Sequence, residues 1–341
     1  MVFDRIETWR IAVVLAGLLL LAPLIPLLTG RALHDRVVTE LLINVVLVVG
    51  LQTFVGNSGI ISFGHAGFMG IGAYASVLVT IPEAMRPSLL PDLYEPLTGI
   101  EGPFMVALLA GGVVAGLFAA VVGYPLMRLS GNSAAIATFA LLVIVQGVLV
   151  NWRQVTRGTS PLFGVPDATN RWNAYLAAIL VVLFAIWFRR SRMGLLLQAS
   201  REDEQAARAS GINVVKVRWI GFVASAAITG VGGALWAHFI TAFAPDAFFF
   251  AATFSILTML VIGGMRTVSG AVIGTVAITL VFRALRSVES GIDLAGQELG
   301  PFIGITQLVL ALAMLLILTY RSGGIMGDTE LRLPPMRTSA R

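Results

Sequence analysis

The stretch FMVALLAGGVVAGLFAAVVGYPLM, residues 104–127, contains no charged side chain. A helix of this length is long enough to cross the roughly 30 Å hydrocarbon core of a bilayer. The rest of the chain has the same character, since 57% of its 341 residues are apolar and only 12% are charged. A soluble domain carries about 25% charged residues. The sequence therefore predicts an all-α polytopic membrane protein.

Further apolar runs of similar length occur on both sides of this stretch, with no long polar segment between them. We predict a single membrane domain, residues 1–341, with about ten transmembrane helices. The first run is followed by no small-residue cleavage site, which favours a retained helix over a signal peptide. The predicted helices cover about 11–29, 37–55, 60–80, 104–127, 134–150, 173–188, 219–240, 247–263, 268–285 and 301–319.

The distribution of basic residues predicts the orientation of these helices. With both termini in the cytoplasm, the inner segments hold 15 of the 23 Lys and Arg residues but only 7 of the 18 Asp and Glu residues. This agrees with the positive-inside rule. The loop 189–218 and the tail 320–341 are then cytoplasmic, and the loops 81–103 and 151–172 lie outside.

Composition excludes several classes of site. The chain has no cysteine, so it forms no disulfide or thiolate metal site, and its three scattered histidines predict no metal centre. Lys216, the only lysine, follows Val215, so the Gly-Lys-Ser/Thr of a Walker A loop is missing. We expect no cofactor in this chain. The near absence of ionisable residues from the spans argues against an ion-coupled secondary carrier, which stays a distant alternative.

The segment SREDEQAARASGI, residues 200–212, lies within the most charged part of the chain and has helix signals at both ends. Ser200 is a good N-cap, and the three acids at 202–204 favour the first turn of a helix. Gly211 can adopt the left-handed conformation that ends a helix. We predict two to three helical turns that expose a small-residue face, either as a solvated loop or as a docking helix for a cytoplasmic partner.

Four blocks of sequence resemble a known family. They are SRMGLLLQASREDEQAARASGINVVKVR (191–218), GNSGIISFGHAGFMGIGAYAS (56–76), residues 134–166 and residues 232–274. Together they are similar to the branched-chain amino acid permeases of ABC importers, and within these to the M-type subunit. The likeness covers roughly residues 40–327. The chain departs from the family pattern at four positions: Phe139 and Ala140 replace Leu-Gly, Val145 takes an acidic position, and Arg157 takes a glycine position.

The resemblance implies a transport subunit rather than an enzyme, in a bacterial inner (cytoplasmic) membrane. Its implied partners are a homologous H-type permease subunit, two ATP-binding subunits that hold ATP and Mg²⁺, and an extracytoplasmic solute-binding protein, with no nucleic acid. The implied substrate is a branched-chain or related hydrophobic amino acid, although urea or a short amide fits the neutral spans equally well. The resemblance also implies a coupling helix at 200–211 that contacts the ATPase through Arg201, Asp203, Glu204, Ala206, Ala207 and Gly211.

The glycine-rich stretch 56–67 predicts a broken-helix elbow. Irregular backbone at membrane depth must be buried in protein or line a wet cavity, and broken helices often mark transport sites. The alternatives are close helix packing through small residues and, for Ser62 with His65, an intramembrane hydrolase that lacks a third orienting group. The candidate path residues are Asn57, Ser62, Gly64, His65, Thr138, Gln146 and Thr156.

Overall fold

A computed structural model describes residues 14–17, 19–23, 32–289, 292–294, 297–299, 305–320, 323–327 and 330. We number the longer helices in chain order: α1 Ala32–Ser58, α2 His65–Thr80, α3 Phe104–Leu126, α4 Gly131–Asn151, α5 Arg171–Arg190, α6 Arg192–Glu202, α7 Glu204–Ala209, α8 Val214–Ile240, α9 Phe250–Gly263, α10 Val268–Glu289 and α11 Ile305–Tyr320. Single-turn helices occur at Arg86–Leu89, Glu95–Thr98 and Arg153–Thr156. A short hairpin pairs β1 (Ile292–Leu294) with β2 (Gln297–Leu299).

Seven helices within the described residues are long and apolar enough to cross a membrane: α1, α3, α4, α5, α8, α9 together with the turn before it, and α10. The count becomes eight if α2 and the segment Glu83–Leu89, which bends away from it by 105°, form one broken span. These helices correspond to the predicted runs from 37–55 to 268–285. The predicted first run, 11–29, coincides with a shorter helix at Val14–Pro23, and the last run, 301–319, with the 16-residue α11. Most of the predicted tail 320–341 lies outside the described residues.

Helix α8 lies at the centre of the bundle and packs against α1, α2 and α3. Glycines allow these backbones to approach closely, as is common between membrane helices. A Cβ atom at Gly72 of α2 would lie 2.2 Å from the carbonyl oxygen of Gly230 on α8. A Cβ atom at Gly233 would lie 1.9 Å from the Met69 oxygen. Any larger residue at these positions therefore separates α2 from α8.

Helices α9 and α10 form an antiparallel pair that packs against α1. The segment after α11 closes the end of this pair, because the amides of Ile325 and Met326 donate to the carbonyls of Ile262 and Gly263 at 2.8 and 3.1 Å. Glu330 adds a second contact there, since its carboxylate accepts from the backbone N–H groups at the start of α10. The segment thus supplies partners to helix ends that lack them within their own helices.

The loop 81–103, at the opposite end of the bundle, is organised by a buried arginine. The guanidinium of Arg86 donates hydrogen bonds to five backbone carbonyls, those of Leu78, Ile81, Leu97, Thr98 and Ile100. The loop 151–172 is fixed at the same end by a two-way bond between the backbones of Leu162 and Phe243. Both loops are therefore ordered parts of the bundle.

Candidate functional site

The stretch 200–212, for which the sequence predicts one helix, contains the end of one helix and the whole of a second. Helix α6 continues through Ser200 to Glu202, and α7 begins only at Glu204. The prediction that Ser200 caps the helix is therefore wrong. Its side chain is buried in the last turn of α6 and donates to the carbonyl of Leu197 at 2.7 Å. The N-cap of α7 is Asp203, whose carboxylate accepts from the next helix amides at 2.8 and 2.9 Å.

The end of α7 agrees with the sequence prediction. Gly211 has φ of +80°, the left-handed conformation that glycine adopts without steric cost. Its amide donates to the carbonyl of Arg208, and the amide of Ile212 donates to that of Ala207, at 3.0 and 3.1 Å. This pair of bonds is the Schellman arrangement. Helix α7 is thus a short element with a defined beginning and end.

Glu204, at the start of α7, fixes this helix to the bundle. Its carboxylate lies 2.8 Å from the guanidinium of Arg218 on α8 and 2.7 Å from that of Arg208. The hydroxyl of Ser130, which precedes α4, also donates to it at 2.8 Å. Partial burial raises the pKa of this carboxyl, but hydrogen bonds from Arg208, Arg218 and Ser130 outweigh burial and lower the pKa to about 2. Glu204 is therefore ionised at neutral pH.

Burial divides the predicted coupling residues into two groups. Ala207 is only 5% exposed, so the expectation that it lies on the exposed face of the helix is wrong, because this side of α7 packs onto its own chain. Glu204 likewise directs its charge towards Arg218. The outward face of α7 and its cap consists of the exposed residues Asp203, Gln205, Ala206, Arg208 and Ala209.

Arg201, in the last turn of α6, connects the charged segment to the end of α1. Its guanidinium donates to the carbonyl of Gly56 at 2.6 Å and pairs with Glu202. Its aliphatic part lies beside Gly59, where an added Cβ atom would lie 2.6 Å from the Arg201 Cγ. Gly59 has φ of +71° and begins the non-helical segment 59–64. The charged segment thus contacts the end of α1 and the first residue of the connection between α1 and α2.

His65, the first residue of α2, lies at the centre of a buried hydroxyl network. Its Nδ1 is 2.9 Å from Ser62 Oγ, and its Nε2 is 2.7 Å from Ser225 Oγ on α8. The Ser225 hydroxyl donates its single proton to the carbonyl of Gly50. Ser225 therefore accepts from Nε2–H of His65, which leaves Nδ1 to accept from Ser62. This fixes the neutral imidazole in one tautomer.

This network determines where the segment 59–64 lies. Gly50 precedes the end of α1 by eight residues, which is roughly 12 Å along the helix. Through Ser225, the start of α2 is held at the level of Gly50. The segment 59–64 must therefore run back alongside α1 over about two helical turns without being helical itself. Within it Ser62 and Gly64 are buried, whereas Gly59 and Ile61 are exposed.

The structure brings some of the predicted path residues together but not others. Ser62, Gly64, His65 and Thr138 meet where α2 begins, because the Thr138 hydroxyl accepts from the Phe63 amide at 3.2 Å. A Cβ atom at Gly64 would lie 3.1 Å from the Thr138 carbonyl.

The remaining path residues do not join this group. Asn57 is buried near the end of α1 and donates to the carbonyl of Thr53. Gln146 lies two turns further along α4 than Thr138 and is half-buried. Thr156 follows α4 and donates to the carbonyls of Leu149 and Trp152.

The contacts of His65 lack the features of a hydrolase. Both ring nitrogens face serine hydroxyls, and the ring packs between Phe54, Phe68 and Phe222. None of these groups is a carboxylate that could orient the imidazole as a base. In the part of the chain that the structure describes, no group of three or more His, Asp or Glu side chains is placed to hold a metal ion.

Three residues that matter to the site were not predicted from the sequence: Ser130, Arg218 and Ser225. Each is distant in the chain from its partner, and none belongs to a recognisable local pattern. For Arg218 one signal was available, because an arginine placed one turn inside an apolar helix requires a partner. That partner is Glu204.

Comparison with known proteins agrees with this architecture. The family described as "Branched-chain amino acid transport system / permease component" matches residues 33–319. The chain is 26% identical to the high-affinity branched-chain amino acid transport system permease protein LivM of Salmonella typhimurium, over 94% of this chain and 76% of that protein. It is 26% identical to the corresponding LivH of the same organism, over 67% of this chain and 77% of that protein.

A further relative differs in its named substrate. The chain is 28% identical to the nucleoside ABC transporter permease protein NupC of Lactococcus lactis, over 55% of this chain and 62% of that protein. All three relatives are permeases by name, and the family match extends from α1 nearly to the end of α11. The chain therefore belongs to the branched-chain amino acid transport system permease family, and it is a multi-pass membrane protein.

Proposed function

We propose that the chain carries a branched-chain or related hydrophobic amino acid into the cell as a transmembrane subunit of an ABC importer. Family membership and the likeness to LivM over 94% of the chain support this substrate class. The chain is not itself an ATPase under this proposal, since its only lysine does not belong to a Walker A loop. Two separate ATP-binding subunits hydrolyse ATP.

The remaining partners are a homologous H-type permease subunit and an extracytoplasmic solute-binding protein. The similarity of this one chain to both LivM and LivH supports pairing of two related permeases. The membrane is the bacterial inner membrane, and both termini and the segment 189–218 face the cytoplasm. The excess of Lys and Arg in that segment supports this orientation.

The observation that carries the proposal is the construction of α7. This helix is capped at both ends by its own sequence, exposes one face and is held to α8 by a charge pair. When a soluble subunit bound to its exposed face moves, such a helix is displaced with it and displaces the membrane helices to which it is attached. The docking face consists of Asp203, Gln205, Ala206, Arg208 and Ala209, while Glu204 and Ala207 connect the helix to its own bundle.

Two routes transmit that movement. Arg218 transfers it to α8, and Ser225, two turns further along α8, holds the start of α2 through His65. Arg201 transfers it to Gly56 at the end of α1. Both routes meet at the segment 59–64, which forms the glycine-rich elbow beside the solute path. The irregular backbone of this segment at membrane depth supports a wet surface there.

A second candidate is a different small neutral solute carried by the same machinery. The likeness to a permease named for nucleosides favours this alternative, because it shows that substrates differ among relatives of this chain. Urea and short amides belong to the same alternative.

The experiment is uptake into proteoliposomes that contain this chain, its permease partner and the two ATPase subunits, with the binding protein supplied on the outer side. We expect uptake of leucine, isoleucine or valine only when ATP is available to the ATPases. Vesicles without ATPase subunits are the control. Uptake that persists in the control would indicate a secondary carrier, and uptake of uridine or urea in place of amino acids would favour the second candidate.

A further inference from the structure

Four phenylalanine rings from three elements form a continuous patch beside the segment 59–64. Phe63 belongs to that segment, Phe139 to α4, and Phe250 and Phe254 to α9. Phe139 stacks on Phe250 with ring centroids 5.6 Å apart. Phe63 contacts Phe139 at 6.0 Å and Phe254 at 6.4 Å, both edge to face. We call Phe63, Phe139, Phe250 and Phe254 the phenylalanine patch.

The phenylalanine patch faces outward from the subunit. Phe250 is 41% and Phe254 is 49% exposed, and the other two rings are half-buried. Ile61, two residues before Phe63, is also exposed. The patch therefore shares Phe63 with the non-helical segment, and a second residue of that segment is exposed as well.

This surface differs from the faces that suit lipid. The exposed residues of α3 and α5 are mainly large aliphatic side chains with tryptophans near the ends of α5, which is the pattern of a bilayer-facing helix. The phenylalanine patch instead borders backbone without helical hydrogen bonds, and such backbone at membrane depth is buried in protein or lines a water-filled cavity. Phe63 belongs to both the patch and the non-helical segment. Its ring lies in the patch, and its backbone amide donates to the Thr138 hydroxyl.

We propose that the phenylalanine patch is the wall of the transport path that contacts the side chain of the solute. The solute is then an amino acid with a bulky aliphatic or aromatic side chain, because four rings offer it apolar contact without any charged group that would retain it. Urea and short amides gain little from such a wall and are excluded as preferred substrates. This inference rests on the proposed function and specifies its substrate class.

Phe139 joins two parts of the patch. Its ring stacks on Phe250 and contacts Phe63 edge to face. An additional ring extends the flat apolar surface available to a planar side chain. We therefore expect Phe139 to favour aromatic over small aliphatic amino acids.

The first test uses cysteine accessibility, for which this chain is suited because it contains no cysteine. In the full complex, with any cysteines of the partner subunits replaced, a membrane-impermeant methanethiosulfonate should modify the Phe254→Cys variant. The Leu180→Cys variant is the matched control, since Leu180 is a similarly exposed residue on α5. We expect no modification there, because the reagent requires water. Leucine or phenylalanine, but not urea, should slow modification of the Phe254→Cys variant several-fold during transport.

Absence of modification in the Phe254→Cys variant would overturn the proposal, because lipid or the partner permease would then cover the patch. Modification without protection by any amino acid would also overturn it. Labelling without solute requires only the assembled complex, whereas the protection experiment is read only where the wild-type complex is shown to import amino acids. The proposed function fails instead if the wild-type complex moves no amino acid.

The second test measures selectivity. In the Phe139→Leu variant, the ratio of phenylalanine uptake to alanine uptake should fall about two- to tenfold, the range expected for loss of one aromatic contact. The Phe184→Leu variant is the control, because Phe184 is a half-buried ring on α5, outside the patch. An unchanged ratio in the Phe139→Leu variant, with active wild-type uptake, would contradict the role of this residue.

Discussion

The carboxylate of Glu204 lies 2.8 Å from the guanidinium of Arg218 and joins the short helix α7 to the first turns of α8. The Arg218 side chain is 4% exposed, whereas the other partner of Glu204, Arg208, is largely exposed. A buried cation needs this carboxylate more than a solvated one does. The contact therefore serves mainly to hold α7 in place on the bundle.

Replacement of Glu204 by glutamine should destabilise the subunit. The Glu204→Gln variant keeps the shape of the side chain but leaves Arg218 without its counter-charge, which costs about 1–3 kcal/mol. Thermal unfolding of the purified protein in detergent measures this effect. The Glu202→Gln variant is the control, because Glu202 is 63% exposed and pairs with Arg201, its neighbour in the chain. Equal stability of the two variants would show that Glu204 does not anchor α7.

Acid should loosen α7 in a defined pH range. Hydrogen bonds hold the pKa of Glu204 at about 2, below its ordinary value of 4.5. A lowered folded-state pKa means that the stabilisation is fully present above pH 4.5 and is lost as the pH falls towards 2. Hydrogen exchange of the amides of 204–211, corrected for intrinsic rates, should therefore accelerate below pH 4.5. Exchange that stays constant down to pH 2 would contradict the ionised anchor.

A matched pair of glycines tests the close packing of the bundle. The Gly72→Ala variant should fold poorly, because the new Cβ atom would lie 2.2 Å from the Gly230 oxygen and backbone cannot move aside cheaply. The Gly147→Ala variant adds the same methyl group to α4 at a position where no atom from outside that part of the helix lies within 4 Å. We expect little change there. Yield of monodisperse protein after detergent extraction distinguishes the two, and similar yields would contradict the packing of α2 against α8.

Thr241, which ends α8, offers a stabilising substitution. It has φ of +64°, and a β-branched residue in this conformation costs roughly 1–2 kcal/mol. The Thr241→Gly variant should raise the midpoint of thermal unfolding, because the backbone bond from the Thr241 amide to Ala237 is kept while the strain is removed. The Thr241→Ser variant retains the Cβ atom and should gain less. A lower midpoint for the glycine variant would show that the hydroxyl matters more than the strain.

Local sequence predicted those features that depend on neighbouring residues. Hydropathy located the spans from 37–55 to 268–285, and Gly211 was recognised as the end of α7 because a left-handed cap needs only a glycine after a helix. The start of α7 was misplaced for an equally physical reason. Ser200 and Asp203 are both good caps, and only the burial of Ser200 against the bundle decides between them.

Contacts between distant parts of the chain were not predictable in the same way. Ser225 holds His65 across 160 positions, and Arg201 reaches Gly56 across 145. Neither pair has a local pattern, because each depends on how the helices are arranged. Burial of Ala207 has the same origin, since the inward face of α7 is determined by α8.

The central claim is that the ATPase subunits bind the exposed face of α7 and displace this helix when they bind and hydrolyse ATP. The direct measurement is the number of amino acid molecules imported per ATP hydrolysed by reconstituted complexes that carry the Ala209→Trp variant. The Ala84→Trp variant, an exposed alanine in the loop 81–103, is the control. We predict that the Ala209→Trp complex imports far less solute per ATP while the control keeps the wild-type ratio. A wild-type ratio in the Ala209→Trp complex would contradict the claim.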